Sequence, residues 1–545
     1  ARSGLVTPYM SRQWLDRIEF AVREAKRQGL QAWLYDEDPY PSGAAGGRVT
    51  ADRPDYRTQA LDCVSTTVTG PCAVTLDVPM EYIRMAVAVR LENGEIAEQV
   101  DLRDCMGSVR TDWECMRTYH AYYPTTFSKV VPQYRSDAKA PFYRLEWEAP
   151  AGEWHVLVYY RQYCQSSWVF NSYTDLLNPE AVRYFMDVTY EPYKQRLGEY
   201  FGEVIPGVFV DEPRFFAAPF PWTQRLPEIF RQERDYDIDR ALLAMRLPLR
   251  DGAALRRDYW ETVQEQYDRC FAGQIGDWCR EHGLKLIGHA SPEEDPVLQV
   301  LLTGSIHRFM QRMDIPGCDL ITLMVGDRQH PILNMGPKMA ASAARQWKKG
   351  QALCECFGVM EWGLKLRDML YVANWLYSLG VTMLVSHTFI YSIDGYRKKD
   401  AGPSESYQMP YFRHMGAFSD YLARLGYLLE QAEPVAPVAL LYPFDNWMSL
   451  MPVDELAADC LRDLYTALFD RLLRKQIPFE FVDYKDMLAC TARDGCMTVG
   501  QREYTCLIVP PPLFFSPETV DKLKELHRAG VKLALGQVPS ADGGE

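Results

Sequence analysis

Acidic and histidine side chains follow five short apolar segments of this sequence, and these residues are the candidates for chemistry. They are Tyr35, Asp36, Glu37 and Asp38 after the first segment, Asp211 and Glu212 after the second, His289 after the third, Glu355 with Glu361 and Trp362 after the fourth, and His387 with Tyr391 after the fifth. A lone acid after a strand is usually a helix cap or a turn residue. Several acids brought into one cleft lose solvation and repel one another, so their convergence would indicate a functional site.

Glu212 and Glu355 are the pair that we expect to be catalytic. Hydrolysis of a glycosidic bond needs one carboxyl group that protonates the leaving oxygen and a second, ionised one that attacks the sugar or activates water. An aromatic ring such as Trp362 offers a flat apolar surface to a sugar. The remaining candidates are predicted to bind the substrate: Tyr35, Asp36, Glu37, Asp38, Asp211, His289, Glu361, Trp362, His387 and Tyr391.

A repeated helix-then-strand pattern predicts the scaffold for these residues. A helix with apolar residues at helical spacing is predicted over residues 14–28 and ends before Gly29. The strands that we predict are short and apolar on both faces, which is typical of parallel strands covered by helices. They are residues 30–35, 154–160, 205–210, 284–287, 315–321, 351–355 and 381–385.

These seven candidate strands are one fewer than a (β/α)8 TIM-type barrel requires, and an open doubly wound sheet would also fit the count. In a barrel, the candidate residues would meet at the carboxyl ends of the strands. With an eighth strand placed before residue 30, Glu212 and Glu355 end the fourth and seventh strands. That pairing is common in barrel glycosidases.

Two regions depart from this pattern. Residues 61–150 alternate polar and apolar positions between turn-like clusters, which predicts an inserted antiparallel β domain. After Pro434 a new series of strands and helices indicates a small doubly wound, flavodoxin-like α/β domain, with strands at 438–442, 479–482, 506–509 and 531–535. We therefore predict a catalytic barrel over 1–60 and 151–433, an inserted β domain over 61–150 and a C-terminal α/β domain over 434–545.

Composition excludes several classes of protein. The 545 residues carry a formal net charge of −14, which argues against a nucleic-acid-binding surface. No apolar run reaches the roughly 18–20 residues of a membrane helix. The 14 cysteines include no CxxC pair, so metal knuckles and dithiol redox sites lack their spacing. Reduced cysteines and an N-terminal segment unlike a signal peptide favour a cytoplasmic location.

Several sequence blocks resemble a known family over essentially the whole chain. They are residues 33–38 (WLYDED), 41–47 (PSGAAGG), 175–180 (DLLNPE), 209–213 (FVDEP), 288–289 (GH), 315–319 (IPGCD) and 355–362 (ECFGVMEW). The sequence is similar in these blocks to the α-L-rhamnosidase-like glycoside hydrolases of family 106. The resemblance implies a barrel fold, cleavage of a glycosidic bond and a carbohydrate substrate, with an α-L-rhamnoside as one candidate.

The resemblance also implies individual roles. Glu212 matches the general-acid position of the family and Glu355 its general-base position. The resemblance also implies inversion of configuration at the sugar carbon and a bound Ca2+, whose ligands are not assigned to residues of this chain. No organic cofactor is implied. His289, Trp362 and His387 match sugar-pocket positions only loosely. Glu361 stands where relatives often have a small residue and is a rival for the role of base.

The resemblance also concerns the ends of the chain. Relatives have a strand and a helical turn upstream of the segment at Arg2-Ser3-Gly4, and they continue into further β domains beyond Glu545. The missing barrel strand is expected upstream.

Two other functions stay open at this point. One is a carbohydrate-binding or scaffolding barrel that has lost turnover. The other is a metal-dependent hydrolase using His289, His387 and nearby acids, although no HxH or HExxH spacing supports it. Subunit contacts by the C-terminal domain, as in some barrel galactosidases, would make the protein a homo-oligomer.

Overall fold

The computed structural model describes most of the chain. The described residues are 6–79, 82–110, 115–116, 135–136, 141–164, 173–215, 219–321, 334–390, 392–399, 405–511 and 515–536. Among them, no helix has the length and apolar character needed to cross a membrane.

The described strands, in chain order, are β1 (Leu34–Tyr35), β2 (Gln59–Pro79), β3 (Tyr82–Glu92), β4 (Glu95–Asp101), β5 (Met106–Arg110), β6 (Cys115–Met116), β7 (Arg135–Ser136), β8 (Pro141–Tyr163), β9 (Gly207–Asp211), β10 (Phe220–Trp222), β11 (Lys285–His289), β12 (Ile315–Leu320), β13 (Leu353–Cys356), β14 (Met383–Ser386), β15 (Val438–Tyr442), β16 (Phe479–Asp483), β17 (Thr491–Arg493), β18 (Cys496–Val499), β19 (Arg502–Tyr504), β20 (Cys506–Val509) and β21 (Lys532–Leu535).

The described α-helices are α1 (Arg12–Gln28), α2 (Arg48–Asp52), α3 (Pro179–Leu197), α4 (Leu226–Arg234), α5 (Ile238–Ala244), α6 (Gly252–Tyr267), α7 (Gln274–Glu281), α8 (Pro296–Leu302), α9 (Ile306–Arg312), α10 (Gly336–Gln346), α11 (Leu366–Leu379), α12 (Met415–Glu430), α13 (Phe444–Leu450), α14 (Glu455–Arg474), α15 (Tyr484–Ala489) and α16 (Pro517–Arg528).

Local sequence signals explain the first helix-to-strand unit. The Ser11 side chain accepts a hydrogen bond from the Trp14 amide and caps the start of α1. Gly29 ends the helix in the left-handed conformation, with φ of 69°, where a residue with a side chain would be strained. The chain then turns towards β1, as the sequence predicts.

Six parallel strands form a curled sheet that carries the candidate site. Their order is β1-β9-β11-β12-β13-β14. The inner face of the sheet buries one apolar layer: Phe209, Ile287, Ile315 and Leu353, with Trp33, Tyr35, Met383 and Val385 packed against them. Helices cover the outer face. In the described part of the chain the sheet is a half-barrel, and the closed (β/α)8 barrel stays a prediction.

Residues 154–160 are a correction to the expected barrel strands. They lie inside the long strand β8, which pairs antiparallel with β2 and β3, so Val158 faces Val64 on one side and Ala86 on the other. Trp154 and Val158 pack into a core within the β domain, whereas Leu157 and Tyr159 pack into the main core. Because two different cores cover its two faces, this antiparallel strand has the apolar pattern of a parallel one.

The antiparallel sheet has the order β10-β2-β8-β3-β4, with β5 also paired to β8. It confirms that a β region interrupts the α/β series. Strand β8 runs past residue 150, so the predicted insertion boundary falls within a strand. The three domains with the boundaries given above stay a prediction.

Near the C-terminus, a second parallel sheet has the order β16-β15-β20-β21. The chain starts in the middle of this sheet, moves to one edge and returns across to the other, which is the flavodoxin-like order. All four strands lie at the expected positions. The small antiparallel sheet β17-β18-β19 is added between β16 and β20.

Candidate active site

The half-barrel places a layer of polar side chains directly beyond its apolar inner layer. Side chains two residues apart along a strand face the same side. Asp211 therefore follows Phe209 on the inner face, His289 follows Ile287, and Glu355 follows Leu353. The strand register pairs Asp211 with His289 and Asp319 with Glu355.

His289 is the centre of this layer. Its ring is completely buried, and its Nε2 lies 3.0 Å from Glu355 Oε2 and 3.5 Å from Asp211 Oδ1. On the other side of the ring, Nδ1 lies 3.6 Å from Glu293 Oε1. Burial by itself would lower the pKa of His289, but the hydrogen bond to Glu355 and the charges of Asp211 and Asp319 raise it well above its ordinary value. The surrounding acids therefore favour the protonated form of the ring.

Glu212 lies at the same site but is held differently. Its backbone has a φ of 43°, a conformation that few residues other than glycine adopt, and its amide donates to the carbonyl oxygen of His289 at 3.1 Å. The Arg214 guanidinium and the Tyr40 hydroxyl both donate to Glu212 Oε2. Arg214 Nη2 also donates to Tyr40 at 2.8 Å. A carboxylate oxygen of Glu212 lies within 4.8 Å of a His289 ring nitrogen.

The two predicted catalytic acids thus both lie near one imidazole, that of His289. Glu212 follows β9 and Glu355 lies in β13, the third strand along the sheet from β9. The strands that carry Glu212 and Glu355 are three positions apart in the sheet, as the sequence predicts. Their predicted numbers, fourth and seventh, are wrong because they counted residues 154–160 as a barrel strand, and these residues belong to the antiparallel sheet. Glu212 is 8% exposed and Glu355 7% exposed.

Other predicted site residues fall into two groups. Tyr35 donates its hydroxyl to Asp211 Oδ2, and His387 Nε2 lies 3.9 Å from Glu355 Oε1, so both belong to the cluster. Trp362 is 42% exposed on the turn after β13, and its role as a substrate contact stays a prediction. The side chain of Glu361 and all of Tyr391 lie outside the described residues.

The loop after β1 contributes three further acids that the sequence predicts for the site. Asp36 and Glu37 are buried, and Asp38 is partly buried. Asp36 accepts hydrogen bonds from the Ser42 hydroxyl and, at 2.6 Å, from the Tyr190 hydroxyl. Burial raises the pKa of Asp36 to about 7, and these two hydrogen bonds oppose the increase. The contacts of Asp36 tie the loop to α3, and the roles of all three acids as substrate contacts stay predictions.

Sequence reasoning did not assign a role to Glu293, Asp319, Arg214 or Tyr40. Glu293 is buried and accepts a hydrogen bond from the Asp319 amide at 2.7 Å. Burial raises the pKa of Glu293 to about 8, a rise that the Glu212 charge adds to and the His289 charge opposes. Burial and the Glu355 charge also raise the pKa of Asp319 well above its ordinary value. The period of two along β12, from Ile315 through Gly317, is the signal that would have found Asp319.

One group of described residues has the composition of a metal site. Ligand atoms of Asp211, Glu212 and His289 all lie within 4.8 Å of one another. Calcium prefers oxygen ligands and rarely takes imidazole. The Arg214 guanidinium on Glu212 would repel a divalent cation, and Tyr35 already donates to Asp211. This trio does not fit the expected Ca2+, so the calcium ion stays a prediction. The trio also lacks His387, which the alternative of a metal-dependent hydrolase would use together with His289.

Comparison with known proteins agrees with this architecture. A solved rhamnosidase from Novosphingobium sp. PP1Y superposes with a TM-score of 0.63 at 15% identity, covering 98% of this chain and 64% of that one. A β-galactosidase from Rahnella sp. R3 gives a TM-score of 0.52 at 13% identity, covering 97% and 64% of the two chains. These likenesses concern the fold.

Sequence comparison is more specific. A protein of Formosa agariphila that carries the name of a β-glucuronidase is 22% identical over 569 aligned residues, which cover 97% of this chain and 44% of the relative. The chain therefore spans less than half of that relative. The sequence profile of the α-L-rhamnosidases, glycoside hydrolase family 106, matches residues 136–544. The chain belongs to glycoside hydrolase family 106, the family of α-L-rhamnosidases.

Proposed function

We propose that this chain holds the catalytic site of a glycosidase in which Glu212 is the general acid and Glu355 the general base. The observation that supports the proposal most directly is that both acids lie near His289, Glu355 in contact with its ring and Glu212 within 4.8 Å of a ring nitrogen, on strand ends three strands apart. Family membership supports the same reaction class.

In the proposed reaction, Glu212 donates its proton to the glycosidic oxygen as the bond to the sugar carbon breaks. Glu355 takes a proton from the water that attacks the opposite face of that carbon, which inverts its configuration. Tyr40 and Arg214 both donate to one oxygen, Oε2, of Glu212 in the free protein. The other oxygen of Glu212 is then the one we expect to face the leaving group.

The substrate that we propose is a carbohydrate with an α-L-rhamnosyl group, the group for which the family is named. Trp362 would cover one face of the sugar, and His387 would contact its hydroxyl groups. A glucuronide is the second candidate, because the Formosa agariphila relative is named for that substrate. A carbohydrate-binding module without turnover is the alternative that the experiment must separate.

Leaving-group chemistry tests the two roles separately. Nitrophenolate departs without protonation, so Glu212→Gln should lose about 10²–10⁴-fold in kcat on an alkyl rhamnoside and much less on the nitrophenyl rhamnoside. Glu355→Gln should lose activity on both substrates, and NMR of the first product should show the inverted anomer. Glu361→Gln is the control, because Glu361 is the rival base.

Each result decides one point. Wild-type turnover of the alkyl substrate by Glu212→Gln and Glu355→Gln would reject the pair. Inactivation by Glu361→Gln with an active Glu355→Gln variant would transfer the base role to Glu361. Calorimetric sugar binding by a wild-type protein that forms no product from rhamnoside, glucuronide or galactoside would favour the binding module.

A further inference from the structure

We propose that His289 is a positioning residue that fixes the Glu355 carboxylate by donating a hydrogen bond from Nε2, without touching the substrate. The inference rests on the proposed function, since it gives His289 a task in the orientation of the proposed base. It differs from the substrate-binding role expected from the sequence, because the His289 ring is 0% exposed.

The geometry around the ring supports this role. Nε2 is 3.0 Å from Glu355 Oε2, a hydrogen-bonding distance, whereas the Asp211 oxygen is 3.5 Å away. The stronger contact is therefore with Glu355. On the far side, Nδ1 faces Glu293 Oε1 at 3.6 Å, and the Phe209 ring packs edge-on against the imidazole. These neighbours hold the ring in one plane, with Nε2 directed at Glu355.

Four ionisable groups from different parts of the described chain lie around the ring. Asp211 comes from β9, Glu293 follows β11, Asp319 comes from β12 and Glu355 from β13. His387 lies on the other carboxylate oxygen of Glu355, at 3.9 Å, and is 13% exposed at its side chain. Glu355 thus has the enclosed His289 beside Oε2 and the more accessible His387 beside Oε1. We therefore expect Oε1 to be the oxygen that takes the proton from water.

The backbone of His289 supports the second acid. The His289 carbonyl oxygen accepts from the Glu212 amide at 3.1 Å, next to Gly288, whose backbone packs directly on Val210. One residue therefore holds the base through its side chain and the proposed acid through its main chain. Loss of the ring should change the orientation of Glu355 while leaving the main-chain contact in place.

Two substitutions and a matched control separate positioning from general stability. His289→Phe retains a ring without a donor, His289→Gln offers an amide donor, and His307→Gln removes another fully buried histidine, which lies on α9. We expect His289→Phe to lower kcat by about 10²-fold, with KM changed less than about threefold. His289→Gln should recover at least about tenfold of that loss, and His307→Gln should keep kcat near the wild-type value.

The proposal is overturned if His289→Phe lowers kcat no more than His307→Gln does, if the loss lies in KM, or if glutamine restores nothing. A spectroscopic measurement covers the case in which His289→Phe does not fold. In protein labelled with 15N at its nine histidines, Glu355→Gln should move the His289 ring resonance, which is assigned by its loss in His289→Gln. An unchanged resonance would reject the contact. Absence of any wild-type turnover would reject the proposed function, whereas the ring resonance would still report the contact.

Discussion

Glu293 offers a direct test of the electrostatics of the site, and the test does not depend on the substrate. The residue is 2% exposed, and burial raises its pKa from 4.5 to about 8. Below pH 8 the folded protein therefore keeps a proton on Glu293 that the unfolded chain releases above pH 4.5. Glu293→Gln keeps the shape and the acceptor for the Asp319 amide but has no proton to lose.

The sign and size of the effect follow from proton linkage. A carboxyl group with a raised pKa in the folded state lowers the free energy of unfolding as pH increases, here between about pH 4.5 and 8. One pKa unit corresponds to about 1.36 kcal/mol, so the interval from pH 5 to pH 7 should cost the wild type about 3 kcal/mol relative to Glu293→Gln. The pKa of His289 is also raised, so its stabilising contribution is lost at higher pH in both proteins. This contribution largely cancels when the free energies of unfolding of the wild type and Glu293→Gln are compared.

Urea unfolding of both proteins at pH 5, 6 and 7 measures the difference. With equal slopes, the midpoints convert directly into free energies. Glu281→Gln, an exposed position at the end of α7, is the matched control for removal of one carboxylate. Parallel pH dependences for wild type and Glu293→Gln, or a steeper fall in the variant, would refute a buried, protonated Glu293.

Two further predictions concern neighbours of the same cluster. In Gly288→Ala the new methyl carbon would lie 1.9 Å from the Val210 carbonyl oxygen, so β9 and β11 must separate and Tm should fall by several degrees. Gly198→Ala is the control, because its new methyl carbon would meet nothing within 4 Å and should leave Tm nearly unchanged. Equal Tm values for the two variants would contradict the close packing of Gly288 on Val210. Tyr40→Phe removes a hydrogen-bond donor to Glu212 and an acceptor for Arg214, so kcat/KM should fall about tenfold in steady-state assays. An unchanged kcat/KM would show that the Tyr40 hydroxyl has no part in the reaction.

Much of the parallel scaffold was predictable because its physical signals are local. Strands β9, β11, β12, β13 and β14 lie within two or three residues of the predicted segments, and β15, β16, β20 and β21 match equally well. Short apolar runs between amphipathic helices specify such strands without knowledge of their partners. The prediction of a parallel barrel strand at residues 154–160 was wrong, because an apolar pattern indicates that both faces of a strand are buried and does not indicate the direction of the strand.

The candidate site was predictable only in part. Residues on the inner face of a predicted strand, such as Asp211, His289 and Glu355, follow from the period of two. Arg214 and Tyr40 come from loops, and their approach to Glu212 depends on how those loops fold over the sheet. Sequence patterning likewise gives no signal that Tyr190, on α3, reaches Asp36 across 154 residues of chain.

The acids of this cluster coexist because their charges are arranged in two ways. Burial raises the pKa of Glu293 to about 8 and raises that of Asp319 well above its ordinary value, which favours the uncharged form of both groups. The other acids have basic neighbours: Asp211 and Glu355 lie against His289, and Glu212 lies against Arg214. An unpaired carboxylate at this depth would cost several kcal/mol. Loss of either basic side chain, His289 or Arg214, should therefore be destabilising, because a buried acid would be left without a positively charged neighbour.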